Sequence, residues 1–195
     1  MGHIFCMMGK SSSGKDSLFS KLICDEKLDL KRIVPYTTRP IRDGETDGKE
    51  YNFSTVEELT ELEKRGLVVE KRVYNTYYGD WHYFTVDDGN IDLNKNDYLV
   101  IGTLESFEKF LVYFGKEKVV PLYIEVEDGV RLLRAIEREK GQEKPRYEEL
   151  CRRFLADADD FSEEKLEKIG ISVRYQNDDF EKCLDSLRDF IWTLK

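Results

Sequence analysis

The sequence predicts an α/β fold in three layers, with helices on both faces of a central, mainly parallel sheet. Short apolar runs alternate with segments of helical periodicity, the pattern typical of strands joined by crossover helices. A glycine-rich turn connects the first apolar run to the first helical segment. The 195 residues, 40% hydrophobic and 36% charged, match one globular domain with its own core.

The apolar runs predict four core strands, and the periodic segments predict the first and last helices. We expect the strands at residues 3–9, 98–102, 122–126 and 171–175. The apolar face of the first helix consists of Leu18, Phe19, Leu22 and Ile23. The apolar stripe of the last helix consists of Phe180, Cys183, Leu184, Leu187, Ile191 and Leu194. Asp178 and Glu181 have the spacing of a capping box at its start.

Two polar segments interrupt this pattern. Residues 36–90 are rich in Thr, Tyr, Gly and charge, which predicts a small mixed insert of strands with one helix, capped by Thr55 and Glu58. Residues 1–35 and 91–195 form the predicted core domain. Within that core, residues 137–149 are strongly polar and join two helices, which predicts a helical lid that closes over a ligand.

Composition and charge exclude several classes of protein. The net charge of −9 disfavours nucleic-acid polymers as partners, because phosphate backbones select basic surfaces. The four cysteines lack metal-binding spacing, and we expect Cys6 and Cys183 to be buried free thiols. No apolar run has membrane-spanning length, and no signal segment is evident. We therefore expect a cytoplasmic protein without a membrane partner, as a monomer or a homodimer.

A phosphate-binding loop is predicted between the first strand and the first helix, where Gly9, Gly14 and Lys15 satisfy the pattern G-x-x-x-x-G-K. Glycines let successive backbone N–H groups point at phosphate oxygens, and the helix N-terminus adds positive potential. The Lys15 ammonium would reach the β- and γ-phosphates of ATP. The residues assigned to this site are Gly9, Ser11, Ser12, Ser13, Gly14, Lys15, Asp16 and Ser17. The alternative is a glycine-rich turn without a ligand.

Asp16 is unusual, because such loops carry Ser or Thr at this position. The usual hydroxyl binds Mg²⁺, a hard cation that also accepts carboxylate oxygens. We therefore assign Asp16 to the Mg²⁺ that accompanies ATP, directly or through a metal-bound water, and the neighbouring Ser17 hydroxyl can share the role. The helix dipole alone also favours an aspartate in the first turn.

A second anion-binding group is predicted in the insert, in the stretches TTRPIRDGETDGKEYNF at 37–53 and YYGDWHYF at 77–84. Arg39 and Arg42 offer guanidinium forks that match phosphate oxygens. Tyr51 and Tyr78 add hydroxyl donors. The alternative is a surface patch of salt bridges with neighbouring carboxylates.

Together with the loop, these motifs resemble the guanylate kinase family over essentially the whole chain. The resemblance implies transfer of the γ-phosphoryl group of MgATP to GMP or dGMP, giving ADP and GDP, with residues 36–90 as the GMP-binding insert. The positions that match its acceptor site are Arg39, Arg42, Glu45, Tyr51, Glu70, Tyr78 and Asp80. The Glu70 carboxylate can accept both donors on the pairing edge of guanine and would repel N1 of adenine, although an ordinary exposed strand residue is the alternative.

Such a transfer needs cations more than a catalytic base, because the attacking phosphate oxygen is ionised near neutral pH. Arg131, Arg134 and Arg138 share one helix face by their spacing, and Arg152 and Arg153 begin another polar face. The resemblance favours as catalytic residues Lys15, Arg39, Arg134, Arg138 and Arg153, with Arg152 as the alternative to Arg153. Solvated helix charges paired with glutamates are the other interpretation.

The sequence also departs from the family pattern. Val100 and Gly102 replace core-strand aspartates, Asp80 replaces a small hydroxyl residue, and Pro35 replaces a guanine-contacting serine. Glu70 lies one residue closer to the Y-G turn than the pattern expects. Two alternatives therefore stay open: a kinase for another nucleoside monophosphate or small phosphorylated acceptor, and a catalytically inactive peptide-binding module. The intact loop disfavours the module, which typically loses it.

Overall fold

A five-stranded parallel sheet forms the core of the computed structural model, which describes residues 2–42, 44–76 and 79–195. The strands are β1 (Ile4–Met8), β2 (Lys31–Arg32), β3 (Tyr36–Thr37), β4 (Asn52–Phe53), β5 (Val68–Thr76), β6 (Gly79–Val86), β7 (Tyr98–Ile101), β8 (Val119–Glu125) and β9 (Arg174–Gln176). The helices are α1 (Lys15–Ile23), α2 (Val56–Lys64), α3 (Leu104–Phe114), α4 (Asp128–Lys140), α5 (Tyr147–Asp160), α6 (Glu163–Lys168) and α7 (Phe180–Thr193). The core strands follow the order β2-β7-β1-β8-β9, and their pairings are parallel.

The central strand β1 is buried on both faces, as its continuous apolar run predicts. Side chains alternate along a strand, so Ile4, Cys6 and Met8 enter one apolar cluster, whereas Phe5 and Met7 enter the other. Helices α3 and α6 cover the first cluster with Leu104, Phe107, Phe110 and Leu166. Helices α1 and α7 cover the second with Leu18, Leu22, Leu184 and Leu187. The predicted α/β fold, with helices on both faces of a parallel sheet, is thereby confirmed.

The insert forms a second sheet of four strands in the order β4-β3-β6-β5. β5 and β6 pair antiparallel, whereas β3 and β4 pair in parallel, so this sheet is mixed as predicted. Leu59 of α2 packs with Phe84 and Val86 of β6 and gives the insert its own small core. Helix α2 begins with the predicted capping box of Thr55 and Glu58. The exact division at residues 36 and 90 stays a prediction.

The start of α7 differs from the sequence prediction. Asp179 is the cap, and its side chain accepts a first-turn backbone N–H at 3.2 Å. The capping box predicted one residue earlier, at Asp178 and Glu181, is therefore wrong. The physical reason is that Asn177 still belongs to the sheet edge, where its N–H donates to the carbonyl of Glu125 at 2.8 Å. One further residue is needed to leave the sheet before the helix begins.

The other sequence predictions agree with the structure apart from shifts at element ends. The strand expected at 171–175 lies later, as β9, whereas Ile171 is buried in the core beside it. The apolar stripe of α7 is buried as far as Ile191, and Leu194 is 36% exposed. Cys6 and Cys183 are buried free thiols, as predicted. Within the described ranges, no helix combines the length and apolarity that crossing a bilayer requires.

The segment predicted as a lid is helical at both ends. Helix α4 continues to Lys140 and α5 begins at Tyr147, so residues 141–146 form the connection. The buried carboxylate of Glu139 accepts the N–H of Arg146, which ties the connection to the end of α4. Movement of this segment stays a prediction.

The end of β7 has no room for a side chain at Gly102. A Cβ there would lie 2.7 Å from Sγ of Cys6 and 2.7 Å from Oγ of Ser106. Val100, two residues earlier, is 1% exposed. The two positions that lack the expected aspartates are therefore part of a tightly packed core, where an unpaired carboxylate would be costly.

A buried ion pair shapes the loop after β3. Arg39 is 4% exposed, and both of its Nη atoms donate to Glu45, at 2.7 Å for Nη1. The backbone N–H of Arg42 donates to the same carboxylate at 2.8 Å. The guanidinium lies 5.1 Å from the ring centroid of Tyr51 and 5.4 Å from that of Phe53. The hydrogen bonds from Arg39 outweigh desolvation and lower the pKa of Glu45 to about 2.

We expect Gly102→Ala to lower the free energy of unfolding by about 1–3 kcal/mol, because the new Cβ overpacks the contact between β1 and α3. Urea unfolding followed by circular dichroism measures the change. Gly141→Ala is the matched control, since a Cβ there would meet nothing nearer than 3.6 Å. Equal losses of stability in the two variants would contradict the packing argument.

The Arg39–Glu45 pair makes stability depend on pH in a defined window. The pKa of Glu45 is about 2 in the folded protein, below its ordinary value of 4.5, so the contribution of the pair is complete above pH 4.5 and lost as the pH falls toward 2. The difference in unfolding free energy between the parent and Glu45→Gln should therefore be constant near neutral pH and shrink below pH 4.5. Urea unfolding at a series of pH values measures it, with Glu26→Gln as the control for loss of an exposed charge. A difference that stays constant down to pH 2.5 would refute this role.

Candidate functional site

The loop between β1 and α1 curves tightly at the carboxyl edge of the core sheet. Gly9 and Gly14 have φ angles of +153° and +84°, which favour glycine. A Cβ on Gly9 would lie 2.5 Å from the carbonyl oxygen of Ile124, and one on Gly14 would lie 2.4 Å from Nδ2 of Asn177. Both glycines of the motif are thus required by backbone conformation and by close contacts.

Side chains from the C-terminal half hold this loop in place. Asn177 donates through Nδ2 to the carbonyl of Ser13 at 2.7 Å. Arg131, which is 1% exposed, donates through Nη1 to the carbonyl of Ser11 at 3.3 Å and to Asp157 at 3.1 Å. These bonds satisfy the carbonyls of Ser11 and Ser13 with donors from distant parts of the chain.

One loop amide already has an anionic partner. The N–H of Ser11 donates to Oδ2 of Asp157 at 2.8 Å. In loops of this shape, such an amide binds a phosphate oxygen. A phosphate that uses the Ser11 amide must therefore displace the Asp157 carboxylate, which Arg131 then keeps paired.

Other polar groups of the loop have no partner in the part of the chain that the structure describes. The ammonium of Lys15 forms no ion pair or hydrogen bond there, and the buried hydroxyls of Ser12 and Ser13 are also unpartnered. The Asp16 carboxylate is exposed in the first turn of α1. An ammonium and two hydroxyls without partners among the described residues make this loop suited to an anion that brings several acceptor oxygens.

A cavity of about 1090 Å³ opens between the loop, the carboxyl end of β7, the insert and α5. Its lining includes Lys15, Asp16, Gly102, Thr103, Tyr51, Arg72, Tyr74, Tyr83, Arg153 and Asp157. Pockets for one small ligand commonly enclose about 300–1,000 Å³, so this space can hold more than one small molecule. Its position at the carboxyl ends of parallel strands is where such folds bind ligands.

The structure brings some of the predicted site residues into this cavity. The predicted residues in its lining are Gly9, Ser11, Lys15, Asp16, Tyr51 and Arg153, and Arg152 lies there too. Ser12, Ser13 and Gly14 belong to the same loop, and Ser17 lies in the first turn of α1. Among described residues, those outside the lining are Arg39, Arg42, Glu45, Glu70, Asp80, Arg134 and Arg138. Tyr78 lies outside the described residues.

The predicted acceptor residues outside the lining have other partners. Arg39 is buried against Glu45, as described above. Glu70 is 4% exposed, accepts a hydrogen bond from Oγ1 of Thr85 at 2.8 Å, and is paired with Nε of Arg72 at 3.0 Å. Asp80 accepts from Nδ2 of Asn75 at 2.7 Å across the β5–β6 pair. Their predicted roles therefore require partner exchange when a ligand enters.

The arginines of α4 and α5 also differ in position. Arg134 donates through Nη2 to the carbonyl of Asn177 at 3.0 Å, below the loop, and Arg138 is exposed near the end of α4. Arg152 and Arg153 both pair with Glu149, at 2.8 and 3.3 Å. Exposed pairs of this kind are weak, so an incoming anion competes for both guanidinium groups.

Sequence reasoning did not single out Arg72, Asp157 and Asn177, although signals for them exist. Asn177 directly follows β9, whose carboxyl end meets the edge that carries the loop. Asp157 lies four residues after Arg153 and therefore on the same face of α5. Arg72 lies two residues after Glu70 in β5 and thus on the same face of the strand.

A metal centre built from protein side chains alone is not present among the described residues, where no group of three or more His, Cys, Asp or Glu could hold an ion. Asp16 at the cavity edge nevertheless fits Mg²⁺, which proteins often bind through one or two carboxylates together with phosphate oxygens of the ligand.

Comparison with known proteins agrees with this geometry. The family model for guanylate kinase matches residues 1–88, which include the loop and most of the insert. The guanylate kinase of Shewanella frigidimarina is 38% identical over 79 residues, which is 40% of this chain and only 38% of that protein. The guanylate kinases of Caldanaerobacter subterraneus and Cupriavidus pinatubonensis are 29% and 26% identical, each over 97% of this chain and over 86% and 82% of their own lengths.

A solved structure extends the comparison to the fold. The crystal structure of guanylate kinase from Anaplasma phagocytophilum superimposes with a TM-score of 0.65 and 22% identity, covering 98% of this chain and 85% of that one. The shared fold, the matched loop and insert, and the relatives aligned over most of the chain lead to one conclusion. The chain is similar to guanylate kinases in its loop and insert, and it shares their fold.

Proposed function

We propose that the protein transfers the γ-phosphoryl group of MgATP to GMP or dGMP, giving ADP and GDP. The observation that carries this proposal is the Lys15 ammonium, which has no partner among the described residues. It lines a cavity with room for two ligands, which the aromatic residues of the insert also line. The similarity to guanylate kinases supports the same reaction.

The proposed mechanism relies on position and charge. The attacking oxygen of a monophosphate is ionised near neutral pH, because its second pKa is about 6, so no side chain has to remove a proton. Lys15 binds the β- and γ-phosphates, and Arg153, with Arg152 beside it, approaches the transferring group from α5. These cations offset the charge that spreads over the equatorial oxygens in the transition state.

The remaining predicted cations act only after movement of the protein. Arg134 and Arg138 lie on α4 next to the connection 141–146, and we expect closure of this segment to bring them toward the phosphates. Arg39 lies outside the cavity lining and is paired with Glu45, so the acceptor phosphate would compete with Glu45 for its guanidinium. Arg42 is exposed and donates to Glu45 through its backbone N–H. Such exchange would replace one charged partner of Arg39 by another and keep its guanidinium paired.

Mg²⁺ would supply charge neutralisation at the β- and γ-phosphates. Asp16 would hold the ion together with phosphate oxygens or through a water molecule, and the Ser17 hydroxyl is the nearest alternative. Without the ion, the Asp16 carboxylate and the triphosphate repel each other, so nucleotide binding should depend on Mg²⁺ more strongly than in loops with a hydroxyl.

A kinase for another nucleoside monophosphate is the second candidate. The observation that favours it is the pairing of Glu70 with Arg72 and Thr85, which leaves the carboxylate without direct access to the cavity. An inactive peptide-binding module has no comparable support, since Lys15 and both loop glycines are in place.

A coupled assay of ADP release with GMP, dGMP, AMP, UMP and CMP tests the proposed reaction. We expect turnover with GMP and dGMP, and a loss of about 10²–10³-fold in kcat for Lys15→Met, because that ammonium stabilises transition-state charge. Lys21→Met, on the exposed end of α1, is the matched control. Absence of turnover with every acceptor, together with absence of MgATP binding by calorimetry, would reject the enzyme.

Titration with Mg²⁺ tests the role of Asp16. We expect Asp16→Ala to raise the Mg²⁺ concentration for half-maximal ATP binding by about tenfold, because one anionic ligand is lost. Calorimetry at fixed ATP measures this independently of turnover. Ser17→Ala serves as the comparison, and a larger shift in that variant would transfer the role from the carboxylate to the hydroxyl.

A further inference from the structure

Arg72 is a charged group on the insert wall of the cavity that the family resemblance does not account for. It lies on β5, its side chain is 18% exposed, and it borders the cavity together with Tyr51, Tyr74 and Tyr83. A ligand that enters from the loop side and reaches the insert therefore meets a guanidinium group among aromatic rings.

The carboxylate expected to bind the base lies behind this arginine. Glu70 has a side chain that is 2% exposed, and it is not among the described residues of the cavity lining. Its oxygens accept from Oγ1 of Thr85 at 2.8 Å and from Nε of Arg72 at 3.0 Å. Residues 70 and 72 point to the same face of the strand, so the pair is oriented from the core toward the cavity.

Arg72 keeps donors for a ligand. Its bonds to Glu70 use Nε and, at 3.5 Å, one Nη2 proton, and Nη1 has no hydrogen bond with any residue that the structure describes. A guanidinium group only donates, so its natural partner is a pair of adjacent acceptors. Guanine presents such a pair, O6 and N7, whereas adenine places its N6 amine beside N7.

The aromatic groups beside Arg72 suit a flat base. Tyr83 makes edge contacts with Tyr51 and Tyr74, with ring centroids 5.6 and 5.4 Å apart, and Tyr74 is 50% exposed. Base–aromatic stacking accepts any base, so the choice among bases falls to polar groups in the cavity wall, of which Arg72 lies beside these rings.

We propose that Arg72 selects guanine at the acceptor site by donating to O6 and N7, and that Glu70 positions this guanidinium rather than contacting the base itself. This inference rests on the proposed function and specifies how its acceptor is recognised. In this arrangement Glu70 holds the guanidinium of Arg72 in place, and Arg72 contacts the ligand.

Altered acceptors distinguish this assignment on the unmodified protein. 7-Deaza-GMP lacks N7 but keeps the N1–H and N2 donors, whereas IMP keeps O6 and N7 but lacks the N2 amine. We expect kcat/KM for 7-deaza-GMP to be about tenfold below that for GMP, and kcat/KM for IMP to stay within about threefold of it. Equal use of GMP and 7-deaza-GMP together with loss of IMP would overturn the proposal, because a carboxylate would then read the base.

A variant at the same position completes the test. Arg72→Lys keeps the charge beside Glu70 and removes the fork, so we expect KM for GMP to rise about tenfold with little change in kcat, and the preference for GMP over 7-deaza-GMP to disappear. Lys71→Met, on the opposite face of β5, is the control. Unchanged selectivity in Arg72→Lys would overturn the role of Arg72.

Calorimetry with the same nucleotides, together with turnover, tests the role of Arg72 separately from the proposed phosphoryl transfer. Preferred binding and turnover of CMP, whose O2 and N3 are also adjacent acceptors, would overturn the selection of guanine. If GMP is phosphorylated but 7-deaza-GMP is used equally well, the proposed role of Arg72 is rejected and the proposed function is retained. If no monophosphate is bound or phosphorylated, both are rejected.

Discussion

The phosphate loop keeps its shape because buried donors from distant parts of the chain bind its carbonyls. Asn177 reaches the carbonyl of Ser13 and Arg131 reaches that of Ser11, and these two side chains belong to the end of β9 and to α4. The carbonyls of Ser11 and Ser13 are thereby satisfied within the fold. This fixed turn connects β1, in the centre of the sheet, to the start of α1. The phosphate contacts proposed for this protein depend on it.

The same network fixes the electrostatic balance of the cavity. Asp157 accepts from the Ser11 amide and pairs with Arg131, whose guanidinium also binds Asp128. A carboxylate in place of a phosphate keeps the amide and the arginine satisfied while no nucleotide is bound. The chain as a whole carries a net charge of −9, whereas several positively charged side chains lie near the loop. Under the proposed function, an incoming triphosphate would exchange partners within a network that is already polar.

Two arginine–carboxylate pairs lie in the insert, at different places and with different roles. The Arg39–Glu45 pair is buried and organises the loop after β3, whereas the Glu70–Arg72 pair extends from the buried side of β5 to the cavity. Both pairs leave few unpaired charges in the interior, where an unpaired charge is costly. Tight packing at Gly102 and Val100 explains why neither position carries a carboxylate, whereas Asp16 and Asp157 place carboxylates in the cavity lining.

The sequence by itself determined the α/β class, the phosphate loop, the mixed insert and the cap of α2, because these depend on local patterns of a few neighbouring residues. Gly9, Gly14 and Lys15 are recognisable without any tertiary contact. Only the tertiary structure decided which charged side chains face the cavity. Arg39 and Glu70 are both predicted ligand residues, yet each is turned to a partner in the fold, and Arg72 takes the exposed place. The physical reason is that the orientation of a charged side chain depends on the partners that the fold brings near it. Bonds such as those from Asn177 to Ser13 and from Ser11 to Asp157 join residues far apart in the chain, and no sequence periodicity relates such residues.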